Sequence, residues 1–220
     1  SPNPQALVKL IGSGGTATSR GLRAQMDYLS RQGDVPLVSS ESTFGTELGV
    51  GDAAEIAAAW GLPGVKIHVE DGEDQSLNAM SPDQLAAFGA RARELGLEVH
   101  VETSSTEAAE LASTAAISHA VGATSMRCYT RYEGRVSEII ARATADLRGL
   151  AALDPQGQLD FTLEQHEDLT SEELVRIVKA VDNPRLGLLF DFGNMINAGE
   201  TPLAALARQA PWVREVHVKD

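Results

Sequence analysis

The sequence LDFTLE at residues 159–164 alternates apolar and polar side chains and ends in a carboxylate. Two later stretches, LGLLFD at 186–191 and WVREVH at 212–217, are also strand-like and also end in a side chain that can bind a metal. The last residues of the three stretches are 27 and 26 positions apart. This interval fits one helix, one strand and two turns, so it predicts repeated parallel β/α units.

Those last residues, Glu164, Asp191 and His217, are two carboxylates and an imidazole. Because matching ends of neighbouring parallel strands meet at one edge of a sheet, we expect the three side chains to converge, and such donors suit a divalent metal ion. Each residue also has a purely structural interpretation. Glu164 could form a buried ion pair with Arg127, Asp191 could be a helix N-cap, and His217 could be a hydrogen-bonded core histidine.

Composition narrows the class of protein. With 220 residues, of which 43% are hydrophobic, the chain can bury one sizeable core, and we predict a single domain over 1–220. A net charge of −13 argues against a nucleic-acid partner, which needs clustered Lys and Arg. The single cysteine, Cys128, excludes an internal disulfide framework. The sequence has neither an apolar run of membrane-spanning length nor an export signal, so we expect a cytoplasmic enzyme without a membrane partner.

The strand pattern favours a closed barrel. Strand-like runs alternate with Ala-rich helical runs, and we predict strands at 7–11, 37–42, 65–70, 97–102, 123–128, 159–164, 186–191 and 213–218. Several of these runs have one apolar and one polar face, whereas a parallel sheet with helices on both sides is apolar throughout. A (β/α)8 TIM-type barrel resolves this, because the polar faces line its lumen. The alternative is an open sheet with one solvated face.

Three motifs resemble a known family: LEQH at 163–166, LFDFGN at 189–194 and VHVKD at 216–220. They are similar to the strand ends of the sugar isomerase/epimerase superfamily with the xylose-isomerase-like barrel, which read roughly E-N-H, D-x-G-N or D-x-x-H, and H-x-K-D. The resemblance covers mainly 123–220 and more weakly 37–122. It implies one divalent ion (Mn, Mg or Co), with Glu164 and the other two converging residues as ligands.

The resemblance also implies a fourth ligand, a Glu on the strand after His217. Because the sequence ends at Asp220, we expect a barrel truncated before the last family strand, with 1–36 as an N-terminal extension to the family core. The alternative is that an extra strand at 7–11 fills the vacant position and gives eight strands. Glu41 would then be the nearest substitute carboxylate.

The resemblance implies that the enzyme acts on a sugar or a sugar-derived keto compound as an isomerase or epimerase, through a metal-stabilised enediolate. Glu164 would be both ligand and acid/base. A dehydratase or decarboxylase on the same barrel, or a catalytically incomplete fragment that only binds ligand, are the alternatives, and a homo-oligomer is possible. Asn194 departs from the His found there in ketose epimerases, so the substrate stays open. We predict the following substrate-binding residues: His166, Asn194, Lys219, Arg127, His100 and Glu70.

Overall fold

The computed structural model describes residues 7–11, 37–40, 49–166 and 168–219, without the side chains of 7–11, 37–40, 73, 218 and 219. These residues form eight parallel strands: β1 (Leu7–Ile11), β2 (Leu37–Ser40), β3 (Gly64–His68), β4 (Glu98–Glu102), β5 (Ser125–Tyr129), β6 (Asp160–Glu164), β7 (Leu186–Asp191) and β8 (Val213–Lys219). The first and last residues of each strand lie within two positions of those predicted from the sequence.

The strands are hydrogen-bonded in chain order and close into a barrel. Strand β1 pairs with both β2 and β8, so that Val8 lies opposite Leu37 on one side and Val216 on the other. The closed barrel predicted from the polar strand faces is confirmed. The barrel closes through the strand at 7–11. This is the alternative in which an extra N-terminal strand fills the position that a truncated barrel would leave vacant.

Helices follow the strands along the chain. The described α-helices are α1 (Val50–Ala59), α2 (Pro82–Glu94), α3 (Ala108–Val121), α4 (Val136–Leu147), α5 (Leu150–Leu153), α6 (Ser171–Val181), α7 (Phe192–Asn197) and α8 (Pro202–Gln209). Two 3-10 turns, Glu73–Gln75 and Leu77–Ala79, connect β3 to α2. Among the described helices there is none with the length and hydrophobicity needed to cross a bilayer.

Sequence signals at helix ends explain where the helices begin. The Ser81 hydroxyl accepts a hydrogen bond from the Gln84 backbone N–H, and the Gln84 side chain accepts one from the Ser81 N–H. Thr170 and Glu173 make the same reciprocal pair at the start of α6. Both capping boxes satisfy N–H groups that a helix start leaves without partners, and both follow from the sequence alone.

The two faces of the strands have different surroundings. In β3, Val65 and Ile67 belong to the apolar core between barrel and helices, whereas Lys66 between them is fully buried among carboxylates. The same alternation in the other strands fills the lumen with buried polar side chains: Lys66, His100, Glu102, Arg127, Thr162, Glu164, Asp191, Glu215 and His217. The lumen is therefore a polar, charged interior enclosed by an apolar layer.

A register shift between β7 and β8 positions the last of these residues. Leu188 lies opposite Val213, but Leu189 lies opposite Glu215, so one residue of β8 is bulged out. Bulges re-aim the side chains that follow them. Without the shift Asp191 would face Val216; with it, Asp191 lies opposite His217.

Candidate metal centre

The three residues predicted to converge lie together inside the barrel. Glu164 and Asp191 end β6 and β7, and His217 lies near the end of β8. The His217 Nδ1 atom is 3.3 Å from Glu164 Oε1 and 3.5 Å from Asp191 Oδ2. All three side chains are buried, and their potential ligand atoms lie within 4.8 Å of one another. Ligand atoms that share one ion about 2.0–2.2 Å away are separated by similar distances.

Asp191 is both a helix N-cap and a candidate metal ligand. Its Oδ1 accepts a hydrogen bond of 3.0 Å from the backbone N–H of Asn194, which makes it the N-cap of α7. Its Oδ2 is the oxygen that faces His217. Because each carboxylate oxygen has a separate direction, the cap fixes the orientation of the group and leaves the second oxygen directed at the site.

Glu164 is also part of an ion pair. Its Oε2 lies 3.2 Å from Arg127 Nη1, and the same guanidinium lies 2.7 Å from Glu102 through Nη2. Burial raises the pKa of Glu164, but the charges of Arg127 and His217 outweigh burial and lower it below its ordinary value. Glu164 is therefore an ionised carboxylate near neutral pH, which is the state that a metal ligand or a base requires.

The His217 ring has different partners at its two nitrogens. Its Nε2 lies 3.2 Å from Glu215 Oε1, while the buried Nδ1 makes no hydrogen bond although two carboxylate oxygens are within 3.5 Å. Burial lowers the pKa of His217, but Asp191, Glu164 and Glu215 raise it to about 9. The His217 Nδ1 atom and the two carboxylate oxygens thus lie close together without the geometry of a hydrogen bond. Atoms that share one cation are arranged in this way, so these residues fit a divalent metal.

The charge of the lumen supports the same conclusion. Among the described lumen side chains, four are carboxylates and two are basic, so the carboxylates outnumber the basic groups by two when His217 is neutral, the form in which it would bind a metal. The carboxylates are Glu102, Glu164, Asp191 and Glu215, and the basic side chains are Lys66 and Arg127. Uncompensated buried charge is costly. One divalent cation would neutralise the described set.

Two predicted substrate-binding residues border this cluster. The Asn194 side-chain amide donates to the Gln165 carbonyl at 2.8 Å and lies 3.5 Å from Glu164 Oε1. His166 is half-buried two residues after Glu164 and stacks on the Tyr129 ring with centroids 4.2 Å apart. Asn194 therefore contacts the carboxylate of Glu164, and His166 lies two residues after it in the chain. Arg127, a third predicted residue, lies between Glu102 and Glu164 as described above.

The remaining predicted residues lie elsewhere or outside the described part. His100 lies one layer deeper than Glu102 on β4 and bonds Ser125 at 2.7 Å; burial, together with the Lys66 charge, lowers its pKa to about 4. Glu70 is exposed in the turn after β3, because that strand ends at His68 rather than at residue 70 as predicted. Glu41 and the Lys219 side chain lie outside the described residues.

Sequence reasoning gave no role to Glu215, although it belongs to a polar strand face, and considered Lys66 only as a possible ion-pair partner of Glu70 or Glu102. Lys66 Nζ forms a close ion pair with Glu215 Oε1 and lies 3.5 Å from Glu102. Sequence reasoning also missed a hydrogen-bonded chain at the barrel rim, in which Arg131 donates to the Tyr129 hydroxyl at 2.6 Å and that hydroxyl donates to Ser104 at 2.8 Å. The signal available for Glu215 was its position two residues before His217 on the same strand face.

Comparisons with known proteins give the family context. The family model described as xylose isomerase-like TIM barrel matches residues 54–220. The uncharacterized protein YihM of Escherichia coli K12 is 46% identical over 169 residues, which are 77% of this chain and 52% of that protein. The 3-oxo-isoapionate decarboxylase of Pectobacterium atrosepticum is 26% identical over 66% of this chain and 52% of its own length. An inosose dehydratase of Bacillus thuringiensis is 35% identical over 51 residues, 23% of this chain and 17% of the relative.

Solved structures share the fold at low identity. A D-psicose 3-epimerase crystallised with D-fructose superposes with a TM-score of 0.70 at 14% identity, over 82% of this chain and 71% of that one. The IolI protein with a binding zinc atom superposes with a TM-score of 0.63 at 15% identity, over 79% and 70%. The chain spans about half the length of YihM and of the decarboxylase.

Proposed function

The chain belongs to the xylose isomerase-like TIM-barrel family, and from this premise we propose that it is a divalent-metal-dependent enzyme that moves a proton beside the carbonyl group of a sugar or sugar-derived keto compound. The observation that carries the proposal is the buried convergence of Glu164, Asp191 and His217 in a lumen whose described side chains carry excess negative charge. The first reaction class that we propose is isomerisation or epimerisation.

Glu164, Asp191 and His217 would hold the ion. A bound divalent cation (Mn²⁺, Mg²⁺ or Co²⁺) would supply the positive charge that lowers the energy of an enediolate formed from the substrate. Glu164 is ionised and buried, so it can accept a proton from a substrate carbon as well as bind the ion. Asp191 is held in place by its cap on α7, so the donor set is preorganised.

The residues around the ligands would bind the substrate. Asn194 and His166 border the ligand cluster and offer amide and imidazole groups to hydroxyl or carbonyl oxygens. Arg127 holds Glu164 and Glu102 in fixed positions, and its Nε makes no hydrogen bond. We retain Arg127, His100, Lys219 and Glu70 as proposed substrate-binding residues, and we retain a cytoplasmic location as a prediction.

A lyase on the same centre is the second candidate. The observation that favours it is that the curated relatives with a named activity are a decarboxylase and a dehydratase. All of these reactions pass through an enolate of the substrate, but they form it in different ways. In an isomerase, an epimerase or a dehydratase, proton abstraction beside the carbonyl forms the enolate, and reprotonation of carbon or loss of water then decides the product. In a decarboxylase, cleavage of the bond to CO₂ forms the enolate directly, and protonation of carbon follows. A catalytically incomplete chain that only binds its ligand would give neither.

The test combines metal content with a reaction screen. We expect about one divalent ion per chain by elemental analysis. Ketoses, sugar phosphates and keto acids should be screened in D₂O with Mn²⁺ and Mg²⁺. Deuterium in a recovered substrate or isomer would support isomerisation, and release of water or CO₂ would support the lyase. A metal-free protein that turns over at full rate would contradict the proposal.

Ligand variants provide the second arm of the test. Glu164→Gln, Asp191→Asn and His217→Gln should each weaken Mn²⁺ binding by more than the ~10–100-fold that is typical of outer-shell changes. Asp160→Asn is the matched control, because Asp160 begins the same strand as Glu164 at the opposite end and pairs with Arg214 at 3.2 Å. Its Mn²⁺ affinity should equal that of the unaltered protein.

A further inference from the structure

Glu215 makes the second polar contact of the proposed ligand His217. Both residues lie on β8, two positions apart, and both are buried in the lumen. Glu215 Oε1 lies 3.2 Å from His217 Nε2, on the opposite side of the ring from the Nδ1 atom that faces Glu164 and Asp191. The imidazole is therefore held between a carboxylate behind it and the candidate metal position in front of it.

The Glu215 carboxylate is itself fixed by two other strands. Lys66 on β3 forms a close ion pair with Oε1, and the Thr162 hydroxyl on β6 donates to Oε2 at 3.4 Å. An ionised carboxylate only accepts hydrogen bonds, so Nε2, whose contact with Glu215 has hydrogen-bonding geometry, is the nitrogen that donates, whereas the contacts of Nδ1 lack that geometry. The lone pair of a neutral His217 ring would then be at Nδ1, on the side of Glu164 and Asp191.

We propose that Glu215, anchored by Lys66 and Thr162, is a positioning residue that orients His217 and fixes its tautomer so that Nδ1 faces the metal. The proposal rests on the metal site of the proposed function but not on the reaction assigned to it. Partners of this kind behind a ligating histidine set the orientation and basicity of the ring.

Lys66 has a further consequence in this arrangement. Glu102, Glu215 and His217 also offer potential ligand atoms within 4.8 Å of one another, which makes them a second acidic group. The Lys66 ammonium contacts both carboxylates of that group. A fixed cation between the two carboxylates disfavours a divalent ion there by repulsion, so Glu215 acts as a hydrogen-bond acceptor and not as a ligand.

The decisive experiment compares Glu215→Gln with Glu102→Gln by titration with Mn²⁺ followed by electron paramagnetic resonance. Both changes remove one negative charge that contacts Lys66, but only Glu215 accepts from His217 Nε2. We expect the Mn²⁺ dissociation constant to rise ~10–100-fold for Glu215→Gln and clearly less for Glu102→Gln, whose other partner, Arg127, reaches the ligand Glu164 only indirectly. Equal losses in the two variants would mean that charge alone matters and would overturn the proposal.

Thr162→Val is a milder variant that serves if Glu215→Gln does not fold. It removes only the hydrogen bond to Oε2, and we expect a ~2–10-fold rise in the dissociation constant. A Thr162→Val protein that binds Mn²⁺ as tightly as the unaltered protein would count against the proposal.

Nitrogen-15 spectra of the histidines in the Zn²⁺-loaded protein show which ring nitrogen carries the proton, and a change in overall stability does not alter this result. The unaltered protein should show His217 protonated at Nε2 and coordinated through Nδ1, and the opposite assignment would overturn the proposal. Metal binding without any turnover would contradict only the proposed reaction. Turnover with an unchanged Mn²⁺ affinity in Glu215→Gln would contradict only the positioning role.

Discussion

Several single carboxylates in this chain perform two tasks, one with each oxygen. Asp191 caps α7 with Oδ1 and faces His217 with Oδ2, and Glu164 faces His217 with Oε1 and Arg127 with Oε2. A cap or an ion pair removes rotational freedom from the side chain before any ligand arrives. The cost of ordering the site is thus met during folding and not during binding.

Asp154 shows the same use of two oxygens in a purely structural setting. Its Oδ2 accepts from the backbone N–H of Leu159 at 2.8 Å and its Oδ1 from that of Gln158 at 3.0 Å, so it ties the turn that leads into β6. Burial raises the pKa of Asp154, but these two hydrogen bonds and the nearby His119 outweigh burial and lower it below its ordinary value.

We predict a pH-dependent loss of stability for Asp154→Asn. The asparagine side chain keeps one acceptor oxygen, but its NH₂ group faces the second backbone N–H and cannot accept a hydrogen bond from it. This loss should lower the free energy of unfolding by ~1–3 kcal/mol at pH 7. Because the folded-state pKa is depressed, the contribution of Asp154 is present above its unfolded value and is lost as the pH falls through the folded value. The difference between variant and unaltered protein should therefore shrink toward pH 3.

Urea denaturation at pH 7, 5 and 3 measures this difference. Asp83→Asn is the control, because Asp83 is exposed in the first turn of α2, and it should change the free energy of unfolding by less than ~0.5 kcal/mol at pH 7. A penalty for Asp154→Asn that stays constant from pH 7 to 3 would show that the ionised carboxylate is not the stabilising group.

At the scale of the secondary-structure elements, strand pairing decides which of the site residues lie opposite one another. The alternation of apolar and polar residues was enough to place Glu164 and His217 on lumen faces, because period-2 patterning decides which side chains share a face. Asp191 was predicted from its place at the end of a strand, since LGLLFD at 186–191 does not alternate. The bulge between β7 and β8 was not predictable in the same way. It depends on Leu188 and Leu189 pairing with Val213 and Glu215, a contact between separate strands that no local pattern encodes.

The contact between Glu215 and Lys66 was not predicted from the sequence for a related reason. Each lies on a predicted polar face, but β3 and β8 are far apart in the chain and their contact exists only across the lumen. Local caps such as Ser81 and Thr170 were predictable because donor and acceptor are three residues apart. Distant partners on neighbouring strands, such as Glu164 and Arg127, were also predictable, because adjacent strand ends converge. Partners that meet only across the lumen were not.

Helix packing around the barrel yields a prediction for α2 and α3. A Cβ atom added at Gly89 of α2 would lie 2.4 Å from the Val121 carbonyl oxygen and 2.9 Å from its Cα. This clash is with the backbone of α3, which cannot rotate away. We expect Gly89→Ala to lower the free energy of unfolding by ~1–3 kcal/mol, despite the higher helix propensity of alanine.

Gly51 of α1 provides the matched control, because a Cβ atom there meets nothing within 4 Å. Gly51→Ala should leave stability unchanged or raise it by up to ~1 kcal/mol, through helix propensity and a less flexible unfolded chain. Denaturant unfolding of both variants distinguishes the two effects. If both substitutions stabilised the protein, the close approach of α2 to α3 would be wrong.

At the scale of the whole molecule, the barrel combines a family region with strands that precede it. The matched region 54–220 contains β3 to β8, including all three proposed ligands, while β1 and β2 lie before it. Both of these strands take part in closure, since β1 pairs with β2 and β8, and β2 pairs with β3. The segment 1–36, which we expect to be an extension to the family core, contains β1, and closure of this barrel depends on β1.

Deletion of residues 1–11 should test that dependence. Removal of β1 leaves β2 and β8 as parallel edges with unpaired backbone groups, and β8 carries Glu215 and His217. Unprotected edges lower stability and favour association between molecules. We expect the free energy of unfolding to fall by ~3 kcal/mol or more, with oligomers visible by size-exclusion chromatography. Deletion of residues 1–6, which precede β1, is the control and should preserve stability. If the two deletions unfolded at the same temperature and stayed equally monodisperse, β1 would not be the strand that closes the barrel.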